Sequence, residues 1–224
     1  NLVANGFINS LKPGDEIIVS QLEHHSNIVP WQMISEKTGA IMKVIPMNNL
    51  GELDLNAYEK LLSNKSKVVF VNHVSNALGT VNPIKKIIEK AHQHGAKVLI
   101  DGAQAVPHFH VNVKELDVDF YVCSAHKICG PTGVGILYGK QEILEELPPY
   151  QGGGEMIDQV TFEKTTYADL PHKFEAGTPN IAGCIAFGAA IDYINSIGLD
   201  NINRYENHLL KYATEKLNSI ENVK

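Results

Sequence analysis

The sequence predicts an α/β fold, a mostly parallel sheet flanked by helices, and three observations carry that expectation. Short β-branched runs alternate with amphipathic stretches along most of the chain. The amphipathic stretches are roughly 10–14 residues long, the length of a crossover helix in a βαβ unit. At 44% hydrophobic and 20% charged, the 224 residues have the composition of an ordinary α/β domain, and the length suits one domain or slightly more.

The elements follow in order. Glu16–Ser20 (EIIVS) reads as the first strand, and NIVPWQMISEKTG as a helix closed by Gly39. Strand IMKVIP, helix LNAYEKLLSN and strand KVVFVNH come next. NPIKKIIEKAHQHG is a further helix, with Pro83 near its start and Gly95 at its end, positions those residues favour. AKVLIDGAQ, VDFYVCSAHK and VGILYG complete the strands. From Leu147 to Thr178 the pattern breaks into Gly, Pro and polar residues, a length that marks function or an interface more than a plain connection. Gly152–Gly154 within it suits a mobile or tightly turned segment. Two helices close the chain, PNIAGCIAFGAAIDYINSIG and LDNINRYENHLLKYATEKLNSI.

Several function classes are disfavoured. The formal charge is −6, and no basic run is interleaved with aromatics, so a nucleic-acid surface is not expected. No run of about 18 apolar residues is present, so no membrane span is expected. The three cysteines, Cys123, Cys129 and Cys184, lack C-x-x-C spacing and suit a reducing compartment better than disulfides or structural zinc. Cys123 and Cys184 are expected to pack as small hydrophobes. His92/His94 and His108/His110 are paired, but no H-E-x-x-H occurs and no metal site is expected. Trp31 and the tyrosines read as core or interface filling.

Ligands of parallel sheets sit outside the carboxyl ends of the strands. Those ends collect His24 and His25, Ser75 and Asn76, Asp101 and Gln104, and Ser124, His126 and Lys127. Lys127 lies in CSAHKICGPTGVG, ahead of its glycines, which excludes a P-loop because that motif places lysine after them. G-x-x-G-x-G is not the Rossmann fingerprint either. Lysine and aspartate on strand ends suit pyridoxal 5'-phosphate (PLP), which needs an amine to hold it as a Schiff base and an acid beside its ring nitrogen. Ser124 and His126 flank the lysine where backbone amides join in holding phosphate. Each residue also has a plainer reading: Lys127 as a solvated lysine, Asp101 as a turn former, His24 and His25 as packed or surface histidines. Thr178 reads as a helix N-cap ahead of Pro179 at N1, a place that also attracts phosphate.

EHHSNIVPWQ, HVSNALGT, DGAQAVPH, SAHKICGPTGVGILYG and FEAGTPN together resemble the cysteine desulfurase/selenocysteine lyase family. The likeness is to its SufS-like group within the class V aminotransferases, which have the PLP fold type I. It runs through nearly the whole chain. It implies a sheet of the seven-stranded type, with residues 1–224 forming the PLP-binding large domain. Lys127 would be the Schiff-base lysine, Asp101 the partner of the ring nitrogen, and Gln104 a contact of the phenolic oxygen. His24 would stack on the ring and serve proton transfers, and Asn76 would lie near the substrate carboxylate. Ser124 and His126 would hold phosphate, joined by Thr178 from the other subunit of a homodimer. The family usually has glycine where Ala125 stands, a change that is harmless if the backbone there is not left-handed.

The resemblance further implies conversion of L-cysteine to L-alanine. Sulfur would pass as a persulfide to an acceptor protein of iron–sulfur cluster assembly, and selenocysteine lyase chemistry would use the same site. Another class V enzyme, an epimerase or aminotransferase, and a non-catalytic PLP-binding dimerisation fragment are the alternatives. The family keeps its nucleophilic cysteine and a substrate-clamping arginine in a small C-terminal domain, and a phosphate-holding Thr or Ser before the first helix. This chain begins with Asn1 and stops at Lys224, so both regions are expected to be absent and the fragment inactive. The expected location is cytoplasmic or organellar, of the plastid type.

Overall fold

The structure, a computed structural model, describes residues 1–221. Its main sheet holds β1 (Glu16–Ser20), β2 (Ile41–Ile45), β3 (Ser66–Asn72), β4 (Lys97–Asp101), β5 (Phe120–Ser124) and β6 (Gly135–Gly139). Their order is β2-β1-β3-β4-β5-β6. The first five are parallel and β6 runs antiparallel beside β5. These are the six strands legible in the sequence. A seventh does not join them among the described residues, because β7 (Ile157–Val160) and β8 (Thr165–Tyr167) pair with each other as a separate hairpin.

Alternation along each strand feeds two cores. On one face, Ile18, Val69, Val71, Val98 and Ile100 pack under α3 (Leu55–Leu61) and α4 (Ile84–Gln93). On the other, Ile17, Val19, Val68, Phe70, Leu99 and Phe120 lie against α1 (Leu2–Gly6), α2 (Val29–Thr38) and α6 (Gln141–Glu146). Period-two side-chain direction with both faces covered explains why these strands read as continuous apolar runs. Trp31 of α2 fills the second core, stacked on Phe70 with ring centroids 4.9 Å apart, an arrangement worth about 0.5–1.5 kcal/mol beyond area burial. Gly39 ends α2 at φ 73°, the left-handed geometry that glycine adopts without penalty. No single helix among the described residues is long and apolar enough to cross a membrane.

Other elements depart from the sequence reading. The short helices α1, α5 (Val113–Leu116) and α6 are too brief to show a periodic stripe. Thr178 does not cap α7 (Ile181–Ile197): Asn180 does, its side chain accepting the Gly183 N–H at 3.0 Å. Pro179 therefore stands outside the helix, and its carbonyl accepts the Ile181 N–H. Cys184 of α7 is exposed, because that helix turns Gly183, Phe187, Ala190 and Ile194 inward instead. Phe187, Ala190 and Ile194 meet Ala125 and Ile128 in a third cluster. The last helix, α8 (Leu199–Asn218), buries none of its residues.

Candidate active site

Parallel pairing brings the carboxyl ends of β1, β3, β4 and β5 to one rim, with Asn72, Asp101 and Val122 side by side in register. A cleft of about 290 Å³ opens there. It is lined by His24, Ser26, Asp101, Ala103, Val122, Cys123, Ser124, His126 and Lys127. Five predicted residues, His24, Asp101, Ser124, His126 and Lys127, thus share one concavity although they span more than a hundred positions of sequence.

Asp101 is the last residue of β4, half-buried. Its backbone carbonyl accepts the His73 N–H at 2.8 Å. One carboxylate oxygen, Oδ1, accepts the Ala103 N–H at 2.9 Å, which fixes the rotamer by a local turn bond. Lys127 ends a single 3-10 turn, Ala125–Lys127, directly after β5. The turn is anchored by its first residue. Ala125 is fully buried, donates to the Val134 carbonyl at 3.0 Å, and accepts from Ile128 and Gly130. Its backbone has no positive φ, so alanine sits there without strain. Gly130 is required opposite it, since a Cβ there would lie 2.8 Å from the Ala125 carbonyl. With its first residue pinned, the turn presents His126 and Lys127 to the cleft, and Lys127 forms no ion pair among the described residues.

His24 caps the following turn. Its Nδ1 accepts the Ser26 N–H at 3.2 Å and lies 2.8 Å from the Ser26 hydroxyl, which leaves Nε2 to carry the ring proton. Asn76 lines not this cleft but an adjacent one of about 470 Å³, shared with His24 and His25. Gln104 and Thr178 line neither; Gln104 is half-buried in the turn after Asp101, and Thr178 is exposed. Cys123 lines the cleft, and burial pushes its thiol above the ordinary range, only partly offset by the Ile136 backbone. Cys129 is exposed.

Two residues of the site are not obvious in the sequence. Tyr121 lies under the turn after Asp101, so close that a Cβ on Gly102 would fall 1.9 Å from its ring. Its hydroxyl meets His73 Nδ1 at 2.9 Å, and burial pushes that imidazole down to about 4. Glu23, beside His24, is buried. Its oxygens take the Ser20 hydroxyl, the Asn27 amide at 2.6 Å and the Asn72 backbone N–H at 2.8 Å. Burial raises its carboxyl to about 7 against those three hydrogen bonds, and the charge of Asp101 raises it further. A glutamate just past a strand reads as a surface residue, and only the three donors reveal otherwise.

The donor set fits PLP. An amine without an ion pair and a carboxylate with one oxygen unbonded among the described residues line one cleft of cofactor scale, with a hydroxyl, an imidazole and a tight turn beside them. Among the described residues no group of three or more His, Cys, Asp or Glu is arranged to hold a metal ion.

The aminotransferase class-V family model matches residues 1–224. The chain is 53% identical over 225 residues to a cysteine desulfurase of Shigella sonnei, covering all of this chain and 55% of that protein. The crystal structure of the cysteine desulfurase CsdA from Escherichia coli superposes with a TM-score of 0.95 at 39% identity, over 98% of this chain and 55% of that one. A C-DES variant with glycine covalently linked to its PLP cofactor superposes with a TM-score of 0.86 at 24% identity, over 99% of this chain and 61% of that one; at that identity the likeness is one of fold. The chain spans about half the length of the cysteine desulfurases it matches.

Proposed function

The chain belongs to the class V aminotransferase family, and from that premise we propose that it forms the PLP-binding part of a cysteine desulfurase converting L-cysteine to L-alanine. The observation that carries this reading is the single cleft in which Lys127 and Asp101 stand with His24, Ser124 and His126.

When bound, PLP supplies an electron sink for the pair released at the substrate Cα. The residues of the chain do the rest. The Lys127 amine would hold the cofactor covalently and would move a proton at the substrate Cα. The Asp101 carboxylate, held by the Ala103 N–H, keeps a proton on the ring nitrogen. Ser124, His126 and the amides of their turn hold phosphate. His24, on the wall of the cleft, would cover the ring, with Nε2 available for proton transfer. Gln104 is assigned to the phenolic oxygen, Asn76 to the substrate carboxylate, and Thr178 to the phosphate of the partner subunit in a homodimer.

Overall, L-cysteine and an acceptor thiol become L-alanine and a persulfide, so the C–S bond breaks, an S–S bond forms and the substrate β-carbon gains hydrogen. Cys123 is a poor candidate for the acceptor thiol, because burial disfavours the thiolate that attacks. We assign the acceptor thiol to none of the three cysteines of this chain, so these 224 residues alone are expected to show no sustained turnover. The sulfur is assigned to an acceptor protein of iron–sulfur cluster assembly, and selenocysteine is a chemically equivalent substrate for the same groups.

The test is chemical. Borohydride reduction of the PLP-loaded chain should place the phosphopyridoxyl group on Lys127, and L-cysteine added beforehand should protect that lysine. A peptide map with the label on another lysine, or no protection by cysteine, overturns the assignment.

A further inference from the structure

Glu23 is a buried carboxylate with no cation among the described residues to balance it. A buried charge without a partner costs several kcal/mol, so its retention needs a physical account. Its three donors come from three segments. Ser20 ends β1, Asn27 lies in the short turn His25–Asn27, and Asn72 ends β3. Asn72 is the register neighbour of Asp101, so Glu23 stands one strand behind the carboxylate of the cleft. It also immediately precedes His24 in the chain.

We propose that Glu23 is a positioning residue for the cofactor: it ties the His24 turn to the end of β3 and adds a second negative charge behind Asp101 that strengthens the hold on the ring-nitrogen proton. The inference rests on the PLP reading of the cleft. Two carboxylates one strand apart repel, and a protonated ring nitrogen docked on Asp101 supplies the cation that both lack. Cofactor binding should therefore favour the ionised form of Glu23 and release its proton. Binding that releases a proton tightens as pH rises. The titratable groups around Glu23 are Asp101 on β4 and His24 and His25 of its own turn, the histidines sharing a cleft wall with it.

The experiment has two arms. In the cofactor-free chain, infrared titration of the carboxyl band that Glu23→Gln removes should show a midpoint near neutrality, shifted to lower pH in Asp101→Asn. An unshifted midpoint overturns the coupling. In the second arm, equilibrium dialysis with PLP compares wild type, Glu23→Gln and Glu23→Ala across neutral pH. Wild-type affinity should rise with pH more steeply than that of Glu23→Gln, and exceed it by about tenfold above neutrality, a difference of about 1.4 kcal/mol. Glu23→Ala, which also loses the three hydrogen bonds, should bind more weakly at every pH. Equal affinities and equal slopes for wild type and Glu23→Gln overturn the proposal while leaving the PLP reading intact. Coupled carboxylates in a chain that takes up no PLP would instead overturn the PLP reading, and with it the cofactor role given to Glu23.

Discussion

Glu23 also shapes the stability of the cofactor-free chain. Its carboxyl titrates at about 7 in the fold against an ordinary 4.5, so the native state holds its proton over a range in which the unfolded chain has lost it. Stability therefore falls as pH rises from about 4.5 to about 7. The full difference corresponds to about 3 kcal/mol. Glu23→Gln removes the charge and keeps the shape, with the Asn27 amide turned so that its oxygen meets the new NH2 group, so its chemical-denaturation curve should match wild type in acid and lie above it in mild alkali by up to about 3 kcal/mol. A variant less stable than wild type in alkali would contradict the buried, ion-free environment. The contrast with Asp101 is instructive. One oxygen of Asp101 is held by a neighbouring N–H while the residue stays half-buried at the cleft; both oxygens of Glu23 are consumed inside the fold. Two carboxylates near one rim thereby acquire different duties, one facing the ligand and one behind it.

At the scale of elements, the rim opposite the cleft is held by Asp119, immediately before β5. Its side chain is 1% exposed and accepts the Val98 N–H of β4 at 2.7 Å. It also meets His92 of α4 at 2.7 Å and Lys140, between β6 and α6, at 3.5 Å. One carboxylate thus joins a covering helix, a central strand and the exit of the edge strand. Removing it strands a buried N–H and two further donors, so Asp119→Ala should lose about 3–5 kcal/mol in urea unfolding. Asp119→Asn retains an acceptor for Val98 and should lose less. A loss under about 1 kcal/mol for the alanine variant would show that the network relaxes into water. Because β4 and β5 carry Asp101 and Lys127 at their other ends, the same substitution tests how far the cleft depends on the alignment of those strands.

At the scale of the molecule, the largest departure from a covered fold is at its end. Ile181, Ile185 and Tyr193 of α7 and Leu209, Leu210 and Tyr212 of α8 are exposed, and Phe162 stands fully exposed at the tip of the β7–β8 hairpin. Side chains of this kind suit burial against another surface, and the proposed homodimer, with Thr178 reaching the partner's phosphate site, would supply one. Mixing a Thr178→Ala chain with a Lys127→Ala chain tests it. With shared sites, one site of each hybrid keeps both native groups and the other loses both; with sites confined to one chain, every site carries one lesion. One tightly held, lysine-linked PLP per hybrid dimer is the expected result, and its absence from intact hybrids would end the idea. Loss of Thr178 alone should weaken PLP retention by about 1.5–3 kcal/mol, the range for a hydrogen bond to a charged group.

The sequence by itself determined the six strands, the mostly parallel sheet they form and the candidates at the carboxyl ends of the parallel ones. Apolar runs with crossover helices between them allow little else, and Lys127 and Asp101 follow their strands directly. It did not determine which candidates meet. His24, Asp101, Ser124, His126 and Lys127 share one cleft while Asn76 lines the next, a matter of turn geometry after each strand that residue type does not encode. Nor did it reveal that Cys184 faces outward, because an apolar helix leaves its buried stripe unmarked until a neighbour selects it. The buried state of Glu23 was decided only by tertiary structure. Two of its donors, Ser20 and Asn27, are local, but the third, the Asn72 N–H, lies 49 positions away, and the approach of that strand end to the turn is a property of the packed chain.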